Sequence, residues 1–328
     1  MRLSTDTGGT FTDLVLEDDS GEITLHKAAT TPGNPIQGVL SVVETAARAQ
    51  GQSVEAFLAG VSSFMHGTTH ALNAVITGRT ARTALLTTRG HRDILVFREG
   101  GRREPFNHTR SFPKPYVPRS LTFEIDERIA YDGSIIEALS ESSVLRVIEC
   151  LRERKVEAVA VCLLWSVSNP AHERRVGELL AQHLPGIAVT LSSELNPVMR
   201  EYRRASAATI DASLKPLITR YIADLSTQLE QRGFRGQVRI LTSLGGLKGA
   251  EEASAAPIQL LKSGPSTAPV AGRHYGSTVE TGKDRDLIIT DSGGTTYDVS
   301  LVRNGEITRS RDTWIGPELM GQIGRAHV

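Results

Sequence analysis

The chain has 328 residues, of which 39% are hydrophobic and 23% charged, a composition that excludes disorder and fibres and a length that predicts two domains. Thirty-seven basic residues balance thirty-seven acidic ones, so no whole-chain field draws nucleic acid or an anionic membrane, and any anion site must be local. Met1 to Thr10 lacks the basic start and apolar stretch of a secretory signal, and the longest apolar run, Val156 to Trp165, is about half of the roughly 20 residues that cross a bilayer. Cys150 and Cys162 form neither a disulfide framework nor a metal spacing; both read as core thiols of a cytoplasmic protein.

Leu3 to Thr5 leads into Asp6-Thr7-Gly8-Gly9-Thr10-Phe11-Thr12-Asp13, with Leu14 to Leu16 beyond, which predicts a hairpin around a glycine turn. Gly38 to Gln50 has helical apolar spacing, whereas Ala84 to Leu86 and Ile94 to Phe97 are short β-prone runs. Gly100 to Arg119 holds four prolines and reads as an extended surface loop before a strand over Leu121 to Ile125. A helix over Ser142 to Lys155, a buried strand over Ala158 to Trp165 and a helix over Ala171 to His183 predict a βαβ layer. Pro197 to Arg232 is the longest helical stretch, and Pro216 should break or kink it. Gln237 to Thr242 and Asp286 to Thr290 supply further strands. Alternating helices and strands predict α/β architecture, with the lobe boundary near 190. That division gives domains over 1–190 and 191–321.

The second of these late strands enters Asp291-Ser292-Gly293-Gly294-Thr295-Thr296-Tyr297-Asp298, which repeats the first glycine turn at matching Asp, Gly, Gly, Thr and Asp positions. Leu16 aligns with Leu301 and, after one skipped residue, Gly21-Glu22-Ile23-Thr24 aligns with Gly305-Glu306-Ile307-Thr308. Two such units, one per lobe, suit a nucleotide held in the cleft between lobes. Glycines let backbone N–H groups approach phosphate oxygens, and threonine hydroxyls add donors. The predicted phosphate contacts are Thr7, Gly8, Gly9, Thr10 and Thr12 in one copy and Gly293, Gly294, Thr295 and Thr296 in the other. Asp6 and Asp291, at strand ends, are the expected Mg²⁺ ligands and catalytic carboxylates. A single Asp-x-Gly-Gly-Thr would equally well be a tight turn; the extended repeat is what favours phosphate binding. P-loop and dinucleotide fingerprints are missing, and Gly245-Gly246-x-x-Gly249 has the spacing of a structural turn.

His66-Gly67-Thr68-Thr69 is a small-residue turn that continues into an apolar helix, so Thr68 or Thr69 can act as its N-cap and leave amides free for an anionic group. His66 either contacts substrate or is a packing residue. Glu201, Arg203 and Arg204 read as a solvated helix face or ion pairs.

The paired hairpins resemble the phosphate loops of the actin, sugar kinase and heat-shock chaperone ATPases. Asp6 to Asp13, His66 to Ala74, Glu201-Tyr202-Arg203 and Ser263-Gly264-Pro265 together resemble the A subunit of the hydantoinase/oxoprolinase family. The resemblance implies an actin-like (ribonuclease H-like) two-lobed α/β fold and an ATP-dependent hydrolase that phosphorylates the carbonyl of a cyclic amide or imide such as a hydantoin or 5-oxoproline. It implies ATP and Mg²⁺ as cofactors, a B-type partner subunit, and a substrate cleft at His66, Gly67, Thr68, Thr69 and Asn73. The alternative within the family is a subunit of an ATP-dependent ketone carboxylase, toward which Ser266-Thr267-Ala268-Pro269 leans. A non-catalytic actin-like ATPase switch is the reading from another class, and the His66 segment argues against it. His70 and Leu72 stand where smaller or more polar residues are expected, which leaves the choice between cyclic amide and ketone open. Family A subunits continue for several hundred residues, so the chain is expected to be an N-terminal fragment that is inactive alone. Its residues 322–328 match a translated sequencing adapter and are expected to be a non-native tail.

Overall fold

The computed structural model describes residues 1–31, 33–99, 106–109, 114–276, 278, 286–292 and 297–308, together with the strand backbones of 313–315 and 319–321. The expected tail at 322–328, the turn at 293–296 and much of the proline-rich loop lie outside the described residues. The chain begins with strands β1 (Arg2–Thr7), β2 (Phe11–Glu17) and β3 (Ile23–Ala29), then helices α1 (Pro35–Ala49) and α2 (Val54–Ala59), strand β4 (Ser63–Thr68) and helix α3 (His70–Thr77). Next come β5 (Thr83–Thr88), α4 (Ile94–Phe97), β6 (Thr122–Ile125), β7 (Arg128–Ile129), β8 (Ile135–Glu137), α5 (Glu141–Glu153), β9 (Ala158–Cys162), α6 (Ala171–His183), β10 (Ala188–Leu191) and α7 (Ser192–Leu195). The long α8 (Glu201–Gln231) precedes β11 (Gln237–Leu241), β12 (Leu247–Gly249), α9 (Ala250–Ala255), α10 (Ala268–Gly276), β13 (Leu287–Ser292), β14 (Tyr297–Arg303) and β15 (Glu306–Ile307).

Two compact units form. One combines Met1–Thr77 with the described part of Ile218–Arg311, and the other is built on Gly78–Leu217. In the first unit a six-stranded sheet runs in the order β12-β11-β4-β1-β2-β3. Strand β1 alternates, with Leu3, Thr5 and Thr7 turned inward, and Leu14 and Leu16 of β2 join the same layer. Helix α1 opens on Pro35, whose missing N–H costs nothing at a first turn, and buries Val39, Val42, Val43 and Ala46 against those strands. Gly38 makes this approach possible, because a Cβ there would stand 2.8 Å from Thr12 Oγ1. Ser53 caps α2 by accepting the Ala56 N–H, and Phe57, Leu58, Phe64, Leu225, Leu229 and Phe234 complete the core.

The second unit centres on a four-stranded parallel sheet in the order β10-β9-β5-β6. Its core joins Leu85, Leu86, Val159 and Val161 to Val144, Ile148 and Leu151 of α5, Val176 and Leu180 of α6, and Ala205, Ala208 and Ala212 of α8. The predicted βαβ layer is therefore β9-α6-β10, with its strands parallel.

Several expectations change on folding. Ile94 to Phe97 is a helical turn rather than a strand: Phe97 N–H bonds Asp93 C=O at 3.0 Å, and both sides of β5 are already taken by β6 and β9. The apolar run from Val156 leaves the sheet at Cys162, and Trp165 turns the chain at φ 54°. Helix α8 runs through Pro216 without interruption, because Ala205, Ala208 and Ala212 on one side and Leu225 and Leu229 on the other are held by burial rather than by propensity. The compact units divide after Thr77 and after Leu217, and the described strands of both glycine hairpins fall in the first unit. The reason is pairing: β4 accepts β1 on one side and β11 on the other, so a late segment returns to the N-terminal sheet. Among the described residues no helix is long and apolar enough to cross a membrane.

The join of β11 to β4 leaves no room at Gly236, where a Cβ would lie 2.4 Å from the Ser62 carbonyl oxygen. Gly236→Ala should therefore destabilise the chain by at least about 2 kcal/mol in urea unfolding, while Gly33→Ala, which meets nothing within 4 Å, should stay within about 0.5 kcal/mol.

Candidate active site

Three parallel strands of the first unit, β1, β4 and β11, end side by side. Ligands of α/β sheets collect outside such carboxyl ends, where short loops carry free backbone groups. Here the ends carry Asp6 to Gly9, Thr68 to His70, and Thr242 with Ser243. Thr69 ties the first two together, its N–H and its hydroxyl each reaching the Thr7 carbonyl at 3.3 Å. Thr68 Oγ1 accepts the His70 N–H at 3.1 Å, so the predicted cap of α3 is Thr68. Asn73 sits one turn along on the exposed face, donating to Thr69 Oγ1 at 3.2 Å. Ser263-Gly264-Pro265 folds beneath the same ends: Ser263 Oγ donates to Thr68 C=O at 3.5 Å and Ser266 Oγ to Thr242 C=O at 2.9 Å. Gly245 and Gly246 form the β11–β12 hairpin turn, with Gly245 N–H on Thr242 C=O at 3.0 Å.

The described strands of the internal repeat match in register. Asp6 pairs with Asp13 and Thr7 with Thr12 across β1–β2, while Asp291 pairs with Asp298 and Ser292 with Tyr297 across β13–β14. Third strands match too: Glu17 faces Ile23 as Val302 faces Ile307, each after a glycine of positive φ, Gly21 at 85° and Gly305 at 77°. Gly293, Gly294, Thr295 and Thr296 lie outside the described residues.

Asp6 reaches solvent yet is surrounded by protein on most sides. That crowding first, then the Asp13 and Asp291 carboxylates, pushes its carboxyl above the ordinary value. Asp13, its cross-strand partner, acts on it more strongly than Asp291 does. Asp13 also pairs with Lys27 at 3.1 Å. Gly67 stands opposite Asp6 in β4, where a Cβ would come within 3.0 Å of Asp6 Oδ1. Among the described residues no group of three or more His, Cys, Asp or Glu side chains is arranged to hold a metal.

Thr7 is 3% exposed, and its hydroxyl has no hydrogen-bond partner among the described residues. An unpaired buried hydroxyl at a strand end fits a ligand oxygen. The Gly8 N–H, a predicted phosphate contact, is instead taken by the Phe11 carbonyl at 3.0 Å and closes the turn; Gly9 follows with only backbone to present, and Thr10 is exposed on the same turn. Thr12 does not face the turn: it is buried under α1 with its hydroxyl on Thr30 at 2.9 Å.

His66 also turns inward. Its Nδ1 lies 2.8 Å from Thr5 Oγ1 and its Nε2 2.7 Å from the Tyr221 phenol. Since Thr5 donates onward to Met65 C=O at 3.4 Å, the network assigns the proton to Nδ1 and makes Nε2 the acceptor of Tyr221 O–H. Burial depresses the His66 pKa to about 4 and raises that of Tyr221 to about 12. The Thr68 and Thr7 hydroxyls lie close enough to oppose the rise at Tyr221, although Thr7 stays outside hydrogen-bonding geometry. His70 stacks on Tyr221 with ring centres 4.9 Å apart. His66 is thus a support beneath the strand ends, not a group open to substrate. Sequence reading missed Tyr221, which lies 155 residues from His66 inside a helix and carries no local signal.

On the helix carrying Glu201, Arg203 and Arg204 one expected ion pair forms, Arg203 forking onto Glu99 with Nη2 at 2.9 Å. Arg204, only 1% exposed, instead holds Leu163 C=O at 2.7 Å, so it belongs to the core.

These strand ends and hairpins belong to a mixed α/β protein. Residues 2–184 match the hydantoinase/oxoprolinase N-terminal region and residues 204–322 match hydantoinase/oxoprolinase, so the chain belongs to the hydantoinase/oxoprolinase family. It is 34% identical over 314 residues to caprolactamase subunit alpha of Pseudomonas jessenii, covering 95% of this chain and 45% of that protein. It is 31% identical over 310 residues to the acetophenone carboxylase gamma subunit of Aromatoleum aromaticum, covering 90% of this chain and 42% of that one. The crystal structure of ATP-dependent caprolactamase from Pseudomonas jessenii matches with a TM-score of 0.91 at 32% identity, over 100% of this chain and 47% of that chain. Nucleotide-free acetone carboxylase shares the fold, with a TM-score of 0.83 at 24% identity over 99% of this chain and 47% of that chain. The chain thus spans just under half the length of these relatives.

The buried neutral His66 makes stability depend on pH. Its folded pKa, about 4, lies below the ordinary 6.5, so stability is complete above 6.5 and is lost as pH falls through that window. Urea unfolding should show a loss of about 2 kcal/mol between pH 7 and pH 5 from this group, and His66→Gln should flatten that slope.

Proposed function

We propose that the chain carries the nucleotide-phosphate half of an ATP-dependent enzyme that activates the carbonyl of a cyclic amide or imide by phosphorylation, so that ring opening can follow. The observation that carries this reading is the register-matched repeat, which gives Asp6 and Asp291 equivalent strand positions, together with the unpartnered Thr7 hydroxyl beside Asp6. ATP supplies the phosphoryl group that turns a resonance-stabilised amide oxygen into a leaving group. The chain's own contribution is to hold phosphate oxygens on the Gly9 amide and the Thr7 and Thr10 hydroxyls, with Gly293 to Thr296 as the equivalent sequence in the other copy.

Asp6 and Asp291 would hold a Mg²⁺, which would supply neutralisation of the charge on the transferring phosphoryl oxygens. Thr68 and Thr69, with Asn73 on the first turn of α3, form the wall on which a substrate oxygen docks. In the complete protein the two hairpins belong to an actin-like, two-lobed ATPase, with sequence domains over 1–190 and 191–321, working in the cytoplasm with a B-type partner subunit. The similarity to the acetophenone carboxylase subunit, together with Ser266 to Pro269, supports a second reading in which the activated carbonyl belongs to a ketone that is carboxylated.

In the complete enzyme, Asp6→Asn or Asp291→Asn should each lower turnover about a hundredfold or more, and the double change should cost little beyond the worse single one, because both serve one ion. Steady-state kinetics with thermal unfolding on the same variants decide the matter. Near-normal turnover by folded Asp291→Asn overturns the shared ion. Thr7→Ala and Thr10→Ala should act mainly on KM for ATP.

A further inference from the structure

Two rungs of the β1–β4 ladder turn polar side chains into the first unit, Thr5 opposite His66 and Thr7 opposite Thr68. Tyr221 of α8 meets both rungs. Its phenol oxygen lies 2.7 Å from His66 Nε2, and the Thr68 and Thr7 hydroxyls stand close to the same oxygen. Even so, the buried Thr7 hydroxyl makes no hydrogen bond to any described residue. Hydroxyls that lie close together in a protein interior ordinarily bond, because a buried polar group without a partner costs free energy. Something must hold this pair apart.

His66 does so through its second nitrogen. Met65 C=O can only accept, and it takes the Thr5 hydroxyl proton at 3.4 Å, which leaves Thr5 Oγ1 to accept from His66 Nδ1 at 2.8 Å. Burial depresses the His66 pKa to about 4, so the ring is neutral and has one proton to place. With that proton on Nδ1, Nε2 is a fixed acceptor, and the Tyr221 O–H is drawn onto it. The phenol has its proton to give, since burial raises its pKa to about 12. Thr68 is committed as well, its Oγ1 accepting the His70 N–H at 3.1 Å. The His70 ring packs on the Tyr221 ring with centres 4.9 Å apart and steadies it.

We propose that His66 is a positioning residue of the phosphate site: by binding the Tyr221 hydroxyl it keeps the phenol from closing on Thr7, and so keeps the Thr7 hydroxyl unpaired for a phosphate oxygen of the nucleotide. The inference rests on the phosphate reading of the β1–β2 turn.

A ligand oxygen that meets an unpaired donor gains a hydrogen bond without first breaking one, which is the advantage of a preorganised site. If the bond to His66 is lost, the phenol is free to take Thr7 as its partner, and the ligand must then displace it. The role therefore carries a sign that a packing role does not. Removing the phenol hydroxyl itself should do little harm, and it should repair the damage done by a change at His66.

The test uses the whole 328-residue chain, with pyrophosphate and Mg²⁺ as the probe and calorimetry on folded protein as the readout. His66→Leu, apolar and of similar size, should bind pyrophosphate about tenfold more weakly, the worth of one ordinary hydrogen bond. Tyr221→Phe, which keeps the ring against His70, should stay within about twofold of the unmodified chain, and the double variant should recover to within about threefold of it. Long-range ¹H–¹⁵N correlation on the unmodified chain labelled with ¹⁵N-histidine, His66 being assigned by its loss in His66→Gln, should show the Nδ1–H tautomer. A double variant that binds no better than His66→Leu, a tenfold loss in folded Tyr221→Phe, or an Nε2–H tautomer overturns the role, and the last of these needs no variant to fold. In each of those cases pyrophosphate binding by the unmodified chain keeps the phosphate reading standing. No binding by the unmodified chain up to about 100 mM overturns that reading, and this inference with it.

Discussion

The parallel register of β1 and β4 is the constraint from which the first unit's chemistry follows. It sets Asp6 opposite Gly67 and Thr7 opposite Thr68, so that two strand ends finish level and their loops share one surface. A methyl group at 67 would come within 3.0 Å of the Asp6 carboxylate, tighter than ordinary contact. Slipping the register by one residue would turn Asp6 into the core and Leu3 out of it, which the burial of Leu3, Leu14 and Phe64 forbids. Hydrophobic burial on one face of β1 therefore aims a charge on the other.

Beneath that surface the chain places hydrogen-bonding groups where an all-apolar core would pack more simply. Thr5, His66 and Tyr221 form a fully paired line, and a paired buried network rigidifies where an unpaired one would be costly. Tyr221 comes from α8, so the long helix both completes the core through Leu225 and Leu229 and supports the strand ends through its phenol. The unsatisfied Thr7 hydroxyl beside this network stands out because its neighbours are saturated.

The second unit repeats the solution with different residues. Its parallel strands also end in buried polar groups, Thr88, Glu127, Glu173 and Arg204, most of them bound to the backbone of the turn after β9. A parallel sheet buried on both faces offers no polar face, so its chemistry is confined to the strand ends. Arg204 shows the consequence for charge: on an exposed helix face it would contribute little, whereas here it satisfies the carbonyl of Leu163.

Much of this was legible in the order of residues. The Asp-x-Gly-Gly-Thr repeat, its alignment to Leu301 and Ile307, the cap at Thr68 and the βαβ pattern are local, because turns, caps and two- or three-residue periodicities depend on neighbours in the chain. What the residue order could not supply were decisions taken across distance. Ile94 to Phe97 has the composition of a strand but found no free edge. His66 and Thr12 carry reactive or donor groups but face inward, because alternation along a strand assigns faces only once the buried side is known. Glu127 and His172 lie 45 residues apart and meet only when β6 and α6 pack at one end of a sheet. The sequence by itself determined the glycine turns and the chemistry at their ends; the tertiary structure decided which polar groups are paired, and so which remain free to meet a ligand.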